Sequence, residues 1–267
     1  MSSGGAPLCE MVDGHRRFGA VNALAGVSLS IAPGELLGVV GPNGSGKTTL
    51  FNCLTGRLRL TKGQVLWRGE DVTRWPTDRI ARAGLVRTFQ QSMYFGSGTV
   101  RENVVMALDI AHARSGGEHE LAIPSDLEGL LAFTNLGPLA DSASSILSHG
   151  SLRQLGIALA LAVRPALLLL DEPAAGLNDA ESRELGALLG RVRDSGVTLV
   201  VVDHDMGFLM PLVDRIVVLS AGRLLSQGTP AEVRSDPAVI EAYLGSAFTD
   251  TSPAAGPGRA PQETGVG

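Results

Sequence analysis

The sequence predicts an α/β fold: a mainly parallel sheet, with a small antiparallel β subdomain and a helical subdomain attached to it. Three observations carry this. The runs Leu167–Leu170 and Thr198–Val202 are apolar without alternation, the pattern of parallel strands covered on both faces. Leu36–Val40 is a third such run, followed by glycine-rich text and then a stretch free of proline. Residues 99–113 and 127–133 have helical spacing with no strong strand between them.

Taken in order, residues 1–7 read as a flexible leader. Met11-Val12 and Val27–Ile31 are strand-like, and Pro33-Gly34 marks a turn before the strand at 36–40. Thr49–Leu58 reads as a helix. Residues 63–72 alternate and read as a strand with a turn, which together with the earlier pieces predicts the antiparallel layer. A short helix at 78–83 and a strand at 85–90 follow. Residues 92–150 read as a mainly helical insertion with a loop at 115–119, and Leu152–Val163 as an Ala/Leu-rich helix, so the helical subdomain covers about residues 92–163. After the strand at 167–170 come an amphipathic helix at 181–193, the strand at 198–202, a hairpin about Ala221-Gly222, and short helices at 230–233 and 237–244. One domain is expected over 8–245. Residues 246–267, with Pro253, Pro257 and Pro261, are expected to be a disordered tail.

Composition narrows the function. The chain has 267 residues, 44% of them hydrophobic but only 4% aromatic, so Leu, Val and Ala must fill the core. A net charge of -5 argues against nucleic acid as the main partner, because a phosphate backbone calls for a basic face. No apolar run reaches the roughly 18 residues of a membrane span; the longest candidate, Leu155–Leu170, is broken by Arg164-Pro165. The N-terminus lacks the profile of a secretory signal, so a cytosolic chain is expected. Two cysteines are too few for a disulfide framework, and Cys53 reads as core packing.

The stretch Gly41-Pro42-Asn43-Gly44-Ser45-Gly46-Lys47-Thr48 has the form G-x-x-x-x-G-K-T, between a predicted strand and a predicted helix. That is the P-loop pattern in its required context. Its glycines let backbone N–H groups converge on phosphate oxygens, and the helix N-terminus adds partial positive charge. Lys47 is expected to reach the β- and γ-phosphates and Thr48 to ligate Mg²⁺, with Thr49 beside it in the same nucleotide cradle. Asp171, at the end of an apolar strand, suits a water-mediated hold on Mg²⁺. Glu172 next to it is placed to polarise an attacking water. His204 follows the strand ending at Val202 and is a candidate γ-phosphate sensor. Gln90, at another strand end, can touch both Mg²⁺ and the attacking water.

In chain order, the P-loop, Gln90, Leu147-Ser148-His149-Gly150-Ser151, Leu167–Glu172, Ala175–Asn178 and His204 resemble the ATP-binding subunit of an ABC transporter over about residues 8–245. Leu147–Ser151 is similar to that family's L-S-G-G-Q signature, and Thr99–Asn103 to its T-V-x-E-N stretch. Arg17-Phe18-Gly19 resembles the adenine-stacking neighbourhood, with Phe18 on the base. The resemblance implies ATP and Mg²⁺ as ligands and ATP hydrolysis as the activity. It also implies a second ATPase subunit bound head to tail, so that Ser148 and Gly150 of one copy complete the ATP site of the other. Transmembrane permease subunits are implied as partners, an extracytoplasmic substrate-binding protein indirectly, and a peripheral place on the cytoplasmic face of the membrane. Four positions depart from the family text: His149, Ser151, Asn178, and Asp203 before the histidine.

Gly84–Gln90, Val202–Met206 and Glu241–Gly245 narrow the resemblance to ATPases of branched-chain amino acid importers, with urea and short-chain amide importers as an alternative. Other readings fit less well. A soluble ABC ATPase acting on DNA or ribosomes usually carries a coiled-coil insertion, zinc cysteines or two ATPase halves. A GTPase needs a base-reading N-K-x-D stretch. A kinase leaves the Ser148 signature unexplained, and a non-hydrolysing clamp leaves Glu172 and His204 unexplained.

Overall fold

A computed structural model describes residues 5–88, 94–113 and 121–249. The chain opens with a long hairpin, β1 (Cys9–Phe18) and β2 (Val21–Ile31). The apolar strand β3 (Leu36–Val40) leads into the glycine loop and helix α1 (Lys47–Leu54). Strands β4 (Lys62–Trp67) and β5 (Glu70–Asp71), helix α2 (Thr77–Arg82) and strand β6 (Leu85–Arg87) follow. Next come helices α3 (Val100–Ala113) and α4 (Leu127–Phe133), two 3₁₀ turns, and α5 (His149–Ala162). The second half alternates β7 (Leu167–Asp171), α6 (Asp179–Asp194), β8 (Thr198–Val202) and the short α7 (Met206–Leu209). The hairpin β9 (Arg215–Ser220) and β10 (Arg223–Gly228) and helices α8 (Pro230–Ser235) and α9 (Pro237–Thr249) complete it.

Two sheets result. The larger has six strands in the order β10-β9-β3-β8-β7-β6, with parallel pairing throughout except for β10 at one edge. The smaller, β2-β1-β4-β5, is antiparallel. Each central strand of the larger sheet feeds two cores, one per face. Leu36, Leu168, Leu170, Leu199, Val201, Ile216 and Val218 join the core under the helices α3 to α7. Leu37, Val39, Leu167, Leu169, Val200, Val202 and Val217 join the core shared with α1 and the antiparallel sheet. A side chain every second residue therefore serves each face, and both faces are apolar. Each fully buried aliphatic side chain contributes about 1.5–3 kcal/mol.

Several elements differ from the sequence reading for local reasons. Strand β1 is much longer than Met11-Val12. Register shifts between Met11 and Gly14 and a left-handed Asp13 (φ 45) break the alternation that marks a strand. Helix α1 stops at Leu54 because Gly56 turns left-handed (φ 69) and its N–H reaches back to the carbonyl of Cys53. Helix α5 begins at His149, since Ser148 caps it. Helix α7 has four residues, too few to leave a periodicity, and starts where Asp205 accepts from the N–H of Phe208 at 3.1 Å. Helix α9 runs on to Thr249. The loop predicted at 115–119 and residues 250–267 lie outside the described residues. Cys9 and Cys53 are buried and unpaired; burial pushes their thiols up to about 12 and about 11. Among the described residues no helix is long and apolar enough to cross a membrane.

Candidate functional site

Parallel strands point the same way, so the loops after β3, β7 and β8 open on one edge of the sheet. The glycine loop follows β3. A Cβ on Gly41 would lie 2.2 Å from the carbonyl oxygen of Leu219 and 2.6 Å from Ser45 Oγ, so only glycine fits there. Gly46 sits at φ 108 as the N-cap of α1 and packs on the carbonyl of Ala23 in β2. The carbonyl of Ser45 accepts from the N–H of Gly222, whose own carbonyl accepts from Ala25. The loop is thereby tied to both the β9–β10 turn and the antiparallel sheet.

Lys47 is nearly buried, and its ammonium donates to the carbonyls of Gly41 (2.7 Å) and Pro42 (3.1 Å). Burial lowers its pKa, while the carboxylates of Glu172 and Asp171 oppose that drop. These residues are about 125 positions apart in sequence, yet they share one electrostatic environment. Thr48 is exposed at the first turn of α1, with Thr49 partly buried beside it.

Asp171 ends β7 and its carboxylate holds a buried ion pair with Arg87 at 2.5 Å. Arg87 also donates to Asn52 Oδ1 on α1 at 2.6 Å. Glu172 has a left-handed backbone (φ 45), a conformation that non-glycine residues seldom adopt, held by its N–H on the carbonyl of Val202 at 2.7 Å. Asp203 is buried, and its carboxylate accepts from the N–H groups of Ala174 (3.1 Å), His204 (2.8 Å) and Asp205 (3.0 Å). It thus ties the segment after β7 to the segment after β8. The side chain of His204 is two-thirds exposed at this edge. Gln90 lies outside the described residues.

Phe18 ends β1, partly exposed, with the Arg16 guanidinium over one face of its ring at 4.5 Å. The signature residues lie at the start of α5. Ser148 is the N-cap and accepts from the N–H of Ser151 at 3.2 Å. The Ser148 hydroxyl and the N–H of Gly150 both point to Glu181 on α6. Asn178 caps α6, accepting from Ala180 and Glu181 in a capping box. The structure therefore brings together Lys47, Asp171 and Glu172, while Ser148 and Gly150 are engaged by α6 of their own chain.

Sequence reasoning missed Arg87, Arg153 and Glu181. Arg153 on α5 is half-buried; burial lowers its pKa, and the nearby charges of Asp203 and Glu172 oppose this. No local pattern marks Arg87 or Arg153, and the Asn-x-x-Glu spacing at 178–181 marks Glu181 only as part of a helix cap; each meets its other partners through residues distant in sequence.

The residues present fit a magnesium nucleotide. Ser45 Oγ is buried without a hydrogen-bond partner among the described residues, at the heart of a loop built to receive acceptor oxygens. Among the described residues no cluster of three His, Cys, Asp or Glu could hold a metal. One hydroxyl and one carboxylate, with phosphates and waters supplying the rest, are the oxygen set that Mg²⁺ takes.

Comparison with known proteins shows the family. A family model described as ABC transporter matches residues 24–175. A second, described as branched-chain amino acid ATP-binding cassette transporter, matches residues 223–249. The high-affinity branched-chain amino acid transport ATP-binding protein BraF of Pseudomonas aeruginosa is 38% identical over 252 residues, spanning 90% of this chain and 99% of that protein. LivG of Escherichia coli K12, which carries the same description, is 38% identical over 248 residues, spanning 86% and 95%. Among solved structures, the ADP conformation of MJ1267, an ATP-binding cassette of an ABC transporter, superposes with a TM-score of 0.78 at 28% identity, covering 90% of this chain and all of that one.

Proposed function

The chain belongs to the ATP-binding proteins of ABC transporters, and from that premise we propose that it is the ATP-hydrolysing motor of an importer for branched-chain amino acids. The substrate class rests on the names of relatives at 38% identity and on the matching C-terminal segment. One observation carries the mechanism: Val39, just before the glycine loop, and Asp171, just before Glu172, pair with the same residue of β8, Val202, so the loop that bears Lys47 and the acidic pair share one sheet edge.

In this reading residues 41–49 cradle the triphosphate and Phe18 stacks on adenine. Lys47 leaves its loop carbonyls to meet the β- and γ-phosphates. Thr48 and Asp171, with Gln90, would hold Mg²⁺, which when bound would supply neutralisation of the phosphate charge. Glu172 takes a proton from the attacking water and His204 senses the γ-phosphate. Ser148 and Gly150 complete the site of a second, head-to-tail ATPase subunit, so that closure needs ATP and hydrolysis releases it. The motor occupies residues 8–245, and its helical subdomain, about 92–163, meets the permease at the cytoplasmic face of the membrane. The extracytoplasmic binding protein acts through that permease.

The test is Glu172→Gln. It should bind ATP and form dimers with ATP and Mg²⁺, with turnover reduced by about two orders of magnitude or more, the scale of a lost general base. Turnover equal to that of the unaltered chain removes the assignment.

A further inference from the structure

Glu181 stands where a phosphate is wanted. Its Oε1 accepts from the Ser148 hydroxyl at 3.0 Å and from the N–H of Gly150 at 3.2 Å. Two donors converging on one anionic oxygen, at the N-terminus of a 14-residue helix, is the arrangement by which helix starts hold phosphate. The carboxylate also fills space that only a glycine leaves. A Cβ on residue 150 would fall 2.9 Å from Glu181 Oε1 and 2.9 Å from its Cγ. The other oxygen, Oε2, accepts from the N–H of Asn178 at 3.2 Å, closing the capping box of α6.

We propose that Glu181 is an internal stand-in for the γ-phosphate of a partner copy's ATP, occupying the signature donors until closure and withdrawing to admit the nucleotide. This rests on the reading that Ser148 and Gly150 meet that phosphate across a dimer. Two anions cannot share the same two donors, so the incoming phosphate must displace the carboxylate. Glu181 therefore sets how much ATP closure requires. The same movement loosens the cap on the segment from Asn178, so signature and α6 start respond together. The side chain is only partly buried, which lets it swing into water without stranding a charge.

The experiment uses the full chain with Glu172→Gln, which slows hydrolysis, and follows dimer formation with ATP and Mg²⁺ by analytical ultracentrifugation. Adding Glu181→Gln removes the charge while leaving an amide oxygen that still caps the helix. The expected result is a dimer dissociation constant several-fold lower, reached at lower ATP. An unchanged or higher constant overturns the proposal. The parallel substitution Ser148→Ala tests the underlying reading. If it leaves the ATP-bound dimer unaffected, the signature does not meet the nucleotide. If it weakens the dimer while Glu181→Gln fails to tighten it, the stand-in alone is wrong. A structure of the ATP-loaded Glu172→Gln dimer gives an independent check. In it Glu181 Oε1 is expected to have left Ser148, and its retention there overturns the proposal.

Discussion

Two aspartates end neighbouring strands and do opposite work. Asp203 gives its carboxylate to three backbone N–H groups and is spent on shaping the turn that carries His204. A carboxylate can accept all three donors, whereas a hydroxyl accepts fewer. Asp171 instead faces a cation, Arg87, in a pair whose side chains are only 8% and 11% exposed. Removing one member of such a buried pair costs about 3–5 kcal/mol. Arg87→Leu should therefore lower the unfolding free energy by about that amount in urea denaturation. A loss below about 1 kcal/mol, the scale of an exposed pair, shows that the pair is not buried in solution. The place of Asp171 and Glu172 at a strand end was legible as a run of apolar residues ending in two acids. Arg87 and Arg153 were not, because a lone arginine in sequence carries no sign of the carboxylate it meets.

The elements that were read well are those whose pattern is complete within their own residues. Leucines 167–170 form a strand in any surroundings that cover both faces, and they receive such surroundings from α5 and α6 on one side and α1 on the other. Helix boundaries were read less well, because they depend on caps. Helix α8 shows the cost of a cap in isolation from the site. Thr229 accepts from the N–H of Glu232, and Glu232 Oε2 accepts from the N–H of Thr229 at 2.7 Å and from its hydroxyl at 2.9 Å. Thr229→Ala should cost about 1 kcal/mol of stability with activity unchanged. The backbone N–H and hydroxyl of Thr229 hold the Glu232 carboxyl below its ordinary value of 4.5. A group whose pKa falls on folding stabilises fully above its unfolded value and loses that contribution as pH drops through the folded one. The stability difference between the unaltered chain and Glu232→Gln should accordingly be constant above about pH 5 and shrink below pH 4.5. A difference that stays level to pH 3 contradicts the carboxylate's role in the cap.

At the scale of the whole molecule, the antiparallel sheet and the six-stranded sheet are joined through the glycine loop itself, by the chain of bonds from Ser45 to Gly222 to Ala25. The phosphate cradle is thus also a junction, and Phe18 at the end of β1 is held relative to it. A motor of this kind acts through a partner in the membrane. Expressed with its permease subunits, the chain is expected to co-purify in detergent and to hydrolyse ATP faster than it does alone. Recovery of the chain free of permease under every detergent tried argues for a soluble role. By itself the sequence determined the sheet strands, the glycine loop and the acidic strand end, because strand periodicity and the constraints on a phosphate-binding turn are local. Only the tertiary structure decided which groups come together: Lys47 near Asp171 and Glu172, Arg87 paired with Asp171, and Glu181 bonded to Ser148. Those pairings join residues from 33 to about 125 positions apart, and only the packing of strands and helices sets their distance.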